Sequence, residues 1–194
     1  MTANQPSGNR VKGVVFRNFV QVTTRIGGAE AWAKVAAALE PEVAEAHRHG
    51  AIVSGGWYPV AWYCAFHRAA EKAGIQAAPS FAWAMGREST RMDLSGGIYH
   101  LLLRVVSPAF LISKAPLLFN SYYQQGSMVV SGTTSTHTRA EWKGCAGFSA
   151  HVWQDVVGGC EGALEAAGAK GVALRVVHGG RDGDERTVAD ADWT

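Results

Sequence analysis

From residue 127 onward the chain changes its pattern, and that change restricts the fold more than any other feature. Residues 127–138 are rich in Val, Thr and Ser, with Gly132 between two apolar-polar runs. This predicts strand, turn and strand, and residues 139–143 extend the second strand. Ser149 then stands where a helix N-cap belongs. Residues 150–167 carry Trp153, Val156, Val157, Cys160 and Leu164 at helical spacing, and Gly168 closes the run. Residues 172–178 return to strand character and 179–184 form a turn. Residues 186–193 then alternate Thr187, Ala189, Ala191 and Trp193 against Val188, Asp190 and Asp192, as the return arm of a hairpin does. The pattern predicts a small antiparallel sheet with one long helix laid across it.

Everything before residue 127 reads mainly as helix. Gly27-Gly28 break the chain before an Ala-rich helix, residues 29–39, whose Trp32, Val35, Ala36 and Leu39 share a face. Pro41 starts a more polar helix that runs out at Gly50, and Pro59 starts another that stops at Gly74. Ser80 caps a helix reaching about Met92. An apolar helix over 98–106 ends at Pro108, and an amphipathic one follows over 109–123. Residues 11–19 fit two patterns: β-branched content favours strand, while Val15, Phe19 and Val22 keep helical spacing. The predicted class is α+β: a helical N-terminal part plus a small antiparallel sheet crossed by a long helix. One domain, residues 10–194, follows a disordered tail, residues 1–9.

Composition narrows the function. A net charge of +2 without a basic stripe argues against nucleic acid as a partner. No run approaches the roughly 18 apolar residues of a membrane span. Three widely spaced cysteines without a secretion signal predict reduced thiols and a cytoplasmic location. Charged residues make up 18% of the chain, against about 25% in an average soluble domain. Apolar surface is therefore either buried or covered by a partner, which predicts a homodimer or a second protein. No nucleophile–base–orienter set and no paired carboxylates appear, so no catalytic residue is assigned and the chain reads as a non-enzyme. No metal site is assigned.

The candidate ligand pocket lies between the central helices and the sheet. Its predicted walls are Trp83, Met85, Glu88, Tyr99, His100, Phe110, Phe119 and Tyr122, an aromatic-rich set with few polar groups that suits an apolar ligand. Glu88 falls on the apolar face of its helix, where a carboxylate either holds a ligand or pairs with Arg91. His100 stands in the run Ile98-Tyr99-His100-Leu101-Leu102-Leu103, where an imidazole serves as a core residue or as a metal or haem ligand. His67 shares a face with Tyr63 and Cys64, but no third group is evident to orient a Cys–His pair. Trp57, Tyr58 and Trp62 cluster near Gly55-Gly56 as interface candidates. Gly158 and Gly162 each cost helix stability and so call for a close backbone neighbour, either within the chain or across an interface.

Several of these segments resemble a known family. Val11-Lys12-Gly13, Gly27-Gly28-Ala29-Glu30-Ala31-Trp32, Trp57-Tyr58-Pro59 and Met85-Gly86-Arg87 resemble the opening of the haem–nitric-oxide-binding domains. A myxobacterial protein family shares that opening, and Asp93 to Tyr99 and Ser107 to Leu111 are similar to it as well. The C-terminal hairpin resembles the 4-vinyl-reductase-type domains, which share their broad fold with TRAPP subunits. The resemblance implies a module that holds a ligand between helices and sheet, commonly as a dimer. It also places His100 near the iron-ligating histidine of the haem domains. Two departures stand out. Gly179 and Thr187 occupy the positions of the paired zinc cysteines, and the Tyr-x-Ser-x-Arg motif for haem propionates does not occur. The sequence therefore predicts a small-molecule-binding or regulatory module without a cofactor. An assembly subunit and a haem-based gas sensor using His100 are the alternatives.

Overall fold

The computed structural model describes residues 8–95 and 107–194. A short strand, β1 (Arg10–Lys12), leads into a long helix, α1 (Val14–Ala38). Residues 11–19 thus contain both elements that their composition allowed. Gly28 divides α1: its φ of 75° lies in the left-handed region, open to glycine at little cost, and the helix changes direction there. Helix α2 (Pro41–Arg48) has its proline at the first helical position. Strand β2 (Trp57–Pro59) then pairs antiparallel with β1, Val11 opposite Tyr58. This two-stranded sheet has no counterpart in the sequence reading, because three-residue strands are too short to show an alternation.

Three further helices follow, of which the last packs against the first strand of the main sheet. They are α3 (Val60–Lys72), α4 (Phe81–Ser95) and α5 (Pro108–Tyr122). The Ser80 hydroxyl accepts from the Trp83 amide, and the Ser107 hydroxyl accepts from the Phe110 amide, so both α4 and α5 start at serine caps. The expected helix over 98–106 falls outside the described residues.

Strands β3 (Ser127–Ser131), β4 (His137–Lys143), β5 (Ala173–His178) and β6 (Arg186–Asp192) form one antiparallel sheet in the order β3-β4-β6-β5. Helix α6 (Ala150–Ala166) connects β4 to β5. Its Ser149 hydroxyl accepts from the Val152 amide, and Asp182 in the β5–β6 turn accepts from the Ala150 amide, which anchors the helix to the sheet. The α+β class, with its sheet and crossing helix, is the observed one.

Strand β6 is the expected return arm, paired antiparallel with β5, and its alternation leaves neither face open. Both of its faces are covered: Ala189 and Ala191 face the helices, and Asp190 on the other face is only 6% exposed. Arg139 closes over Asp190 with two hydrogen bonds, at 2.6 and 2.9 Å, and Arg175 approaches to 3.8 Å. The Arg139 hydrogen bonds hold the Asp190 carboxyl below its ordinary range.

Helix α6 packs most intimately on α4. A methyl group on Gly158 would stand 2.2 Å from the Trp83 carbonyl oxygen, and one on Gly162 would stand 2.3 Å from that of Arg87. From the other side, a methyl on Gly86 would reach within 1.8 Å of the Asp155 carbonyl oxygen. Glycine is required where backbones come this close. The seam of Gly158 and Gly162 thus faces α4 of the same chain. Arg87 fastens it further, donating to Glu165 through Nε at 2.9 Å and also through Nη2.

Candidate functional site

Between α4, α5 and α6 on one side and the sheet on the other lies a cavity of about 160 Å3. Engineered apolar cavities of roughly 150 Å3 take one benzene molecule, so the space suits a single small ring. Most of the wall is apolar: Leu111 and Phe119 from α5, Val156 and Leu164 from α6, Ala189 and Ala191 from β6. The residues of α4 that reach it are Gly86, Ser89, Thr90, Asp93 and Leu94. They recur at helical spacing, which puts them on one face.

Two carboxylates interrupt this wall. Asp93 accepts from Asn18 Nδ2 at 2.9 Å and from the Tyr122 hydroxyl at 2.7 Å, both on Oδ2, while Arg17 lies 3.6 Å from Oδ1. The node ties α1, α4 and α5 together. Asp155 is more deeply placed, at 8% exposure. Its Oδ2 accepts from the Tyr63 hydroxyl at 2.6 Å. His67 Nε2 lies 3.2 Å from the same oxygen but out of alignment, so neither ring nitrogen of this buried histidine completes a hydrogen bond among the described residues. Burial, and then the Asp155 charge, push the phenols of Tyr63 and Tyr123 well above their ordinary range.

The predicted wall residues fall into four groups. Phe119 and Tyr122 line the cavity. Met85 is fully buried in the core, while Trp83 lies beside α6 with its indole N–H donating to Glu161; neither lines the cavity. Glu88 and Phe110 face outward, Glu88 beside Arg25 and Arg91 at 3.7 and 3.6 Å, and Phe110 beneath the Lys114 ammonium. Tyr99 and His100 lie outside the described residues.

Among the interface candidates, Tyr58 stacks on Trp62 at 5.9 Å and its hydroxyl bonds both Val53 N and Ala51 O. Trp57 lies under the Lys12 ammonium at 4.5 Å. These aromatics are engaged within the chain. Asp155 stands near His67 as a third group but out of alignment with it. Cys64 turns instead toward the Gly147 carbonyl, so no Cys–His pair forms. Asp155 is the residue the sequence reading missed. A lone acid beside the apolar stripe of α6, with Tyr63 and His67 one turn apart on α3, was the available signal.

The structure resembles solved H-NOX domains. An H-NOX protein from S. oneidensis in the Fe(II)NO state matches with a TM-score of 0.69 and 12% identity, over 94% of this chain and 99% of that one. The Fe(II) unliganded H-NOX protein from K. algicida matches at 0.67 and 13%, over 94% and 96%. An oxygen-binding H-NOX domain related to soluble guanylate cyclases, in its oxygen complex, matches at 0.62 and 11%, over 94% and 95%. The chain has the H-NOX fold. No family model matches the sequence, and no curated protein does.

The described wall does not fit haem. Its space is that of one small ring, and its charged side chains among the described residues, Asp93 and Asp155, carry the same sign as haem propionates. No Lys or Arg among the described residues lines it. Nor, among those residues, does any group of three or more His, Cys, Asp or Glu side chains stand ready for a metal ion. No described helix is long and apolar enough to cross a membrane.

Cys160 lines the cavity, and burial pushes its thiol up to about 12; burial and Glu185 do the same to Cys145. Folded protein at pH 8 should therefore hold on the order of a thousandfold less thiolate at these two sites than the unfolded chain. Alkylation followed by peptide mass mapping should show both labelled slowly when folded and rapidly in urea. Equal rates in the two states would show that the fold does not suppress their thiolates.

Proposed function

We propose that this protein is a ligand-sensing module on the H-NOX fold, in which a small molecule occupies the cavity between the helices and the sheet. One observation carries the reading: an apolar space at the centre of the fold, bordered by two hydrogen-bonded carboxylate nodes that reach α1, α3 and α5. A ligand there touches the elements whose relative positions define the domain. Its binding energy can therefore bias their arrangement.

Benzene-sized compounds should raise the melting temperature in proportion to the logarithm of their concentration, as any ligand specific to the folded state does. Calorimetry with toluene should give one site per chain. Ala115→Phe, which puts a ring into the cavity wall, should abolish the heat without lowering the melting temperature of the free protein by more than a few degrees. Unaltered toluene binding in that variant would move the site elsewhere.

Haem-based gas sensing through His100 is the second reading. It is supported by the H-NOX fold and by the histidine in the apolar run of residues 98–103. A Soret band on adding haem, lost in His100→Ala, would favour it over the first. Protein that remains colourless would end it.

A further inference from the structure

We infer that the cavity takes a small primary amine on an aromatic or alkyl body, with its ammonium held by Asp155. This rests on the reading of the cavity as a ligand site and names the ligand's chemistry.

Three observations converge on Asp155. The residue is buried and forms part of the cavity wall. Its Oδ2 is engaged by Tyr63, while Oδ1 has no hydrogen-bond partner among the described residues. Its one basic neighbour among those residues is the His67 imidazole, which is out of alignment. With no partner of its own among the described residues, Oδ1 is also not fully buried, so it is open to an incoming donor, and a charge-assisted donor binds a carboxylate most strongly. The phenol of Tyr123 also borders the cavity, and no protein group bonds its hydroxyl among the described residues. It offers a second polar contact beside the first.

The sign of the field selects the ligand. Both charged residues of the wall among the described residues are acidic, and Arg17 pairs with Asp93 at 3.6 Å. An anionic ligand would meet repulsion without compensation. A neutral hydrocarbon would fill the space but leave Oδ1 bare. An ammonium on a one-ring body satisfies both the shape and the charge.

Isothermal calorimetry with benzylamine, toluene and benzoate on the full chain tests this. Benzylamine should bind one per chain, at least about tenfold tighter than toluene, the low end of what a charge-assisted hydrogen bond contributes. Toluene should displace it, which locates the amine in the cavity. Benzoate should not bind. In Asp155→Asn, which keeps an acceptor for Tyr63, the preference for benzylamine over toluene should disappear. If that variant does not fold, the comparison of the three probes on the unaltered chain decides alone. Toluene binding as tightly as benzylamine, or benzylamine that toluene cannot displace, overturns the amine assignment while the cavity reading stands. Failure of all three probes to bind overturns both.

Discussion

Gly158→Ala should destabilise the fold by about 2–3 kcal/mol, and Gly86→Ala by at least as much. In an exposed helix the same change stabilises by roughly 1 kcal/mol, so the seam reverses the sign. The reason is geometric. The added methyl meets backbone oxygen on the facing helix at 2.2 Å for Gly158 and 1.8 Å for Gly86. Backbone cannot rotate away as a side chain does, so α4 and α6 must separate, and overpacking of this kind costs about 1–3 kcal/mol or more. Urea denaturation followed by circular dichroism measures it as a lowered midpoint with an unchanged slope. A midpoint that rises would mean the helices are not in backbone contact. Combining the two substitutions should cost less than their sum, because one separation relieves both clashes.

Trp153→Ala should cost about 3–5 kcal/mol, the range for deleting a large buried aromatic. Trp153 is 1% exposed. Its ring meets Trp142 of β4 at 6.3 Å and Phe148 at 4.9 Å, and its N–H donates to the Asp184 carbonyl at 3.3 Å. The side chain therefore joins the crossing helix both to the sheet and to the turn that closes it. Alanine removes the packing, opens a hole and leaves that carbonyl without its donor. Trp153→Phe separates these effects. It should recover most of the loss, and the remainder measures the hydrogen bond, about 1 kcal/mol. A loss below about 1 kcal/mol for the alanine variant would show that α6 does not depend on this anchor.

The sequence disclosed the helices best where a cap or breaker marked them. Ser80 and Ser149 each start a helix at the expected place, Pro108, expected to end one, starts the next, and Gly132 turns the first hairpin. The glycines of α6 announced a close backbone neighbour but not which one. The partner is read only once Gly86 is seen to face them across α4. Burial of Asp190 was not legible, because an alternating strand looks half-exposed unless long side chains from neighbouring strands fold over it. Two of the expected cavity walls, Phe119 and Tyr122, are there. Phe110 and Glu88 are not, because aromatic and acidic residues on a helix do not declare which face the rest of the chain will cover. Asp155 escaped notice because its role depends on Tyr63 and His67, more than eighty residues away along the chain.

The glycine seam also bears on how a bound molecule would be felt outside the cavity. Two helices locked backbone to backbone and clamped by Arg87 behave as one stiff plate, with little compliance between them. Any swelling of the interior is then relieved on the opposite walls. Helix α5 is one of these, and its interior Pro116 removes a backbone hydrogen bond while Phe110 and Leu117 stand out to solvent. Occupancy at the centre would thus be reported as displacement of α5 against a plate that stays still.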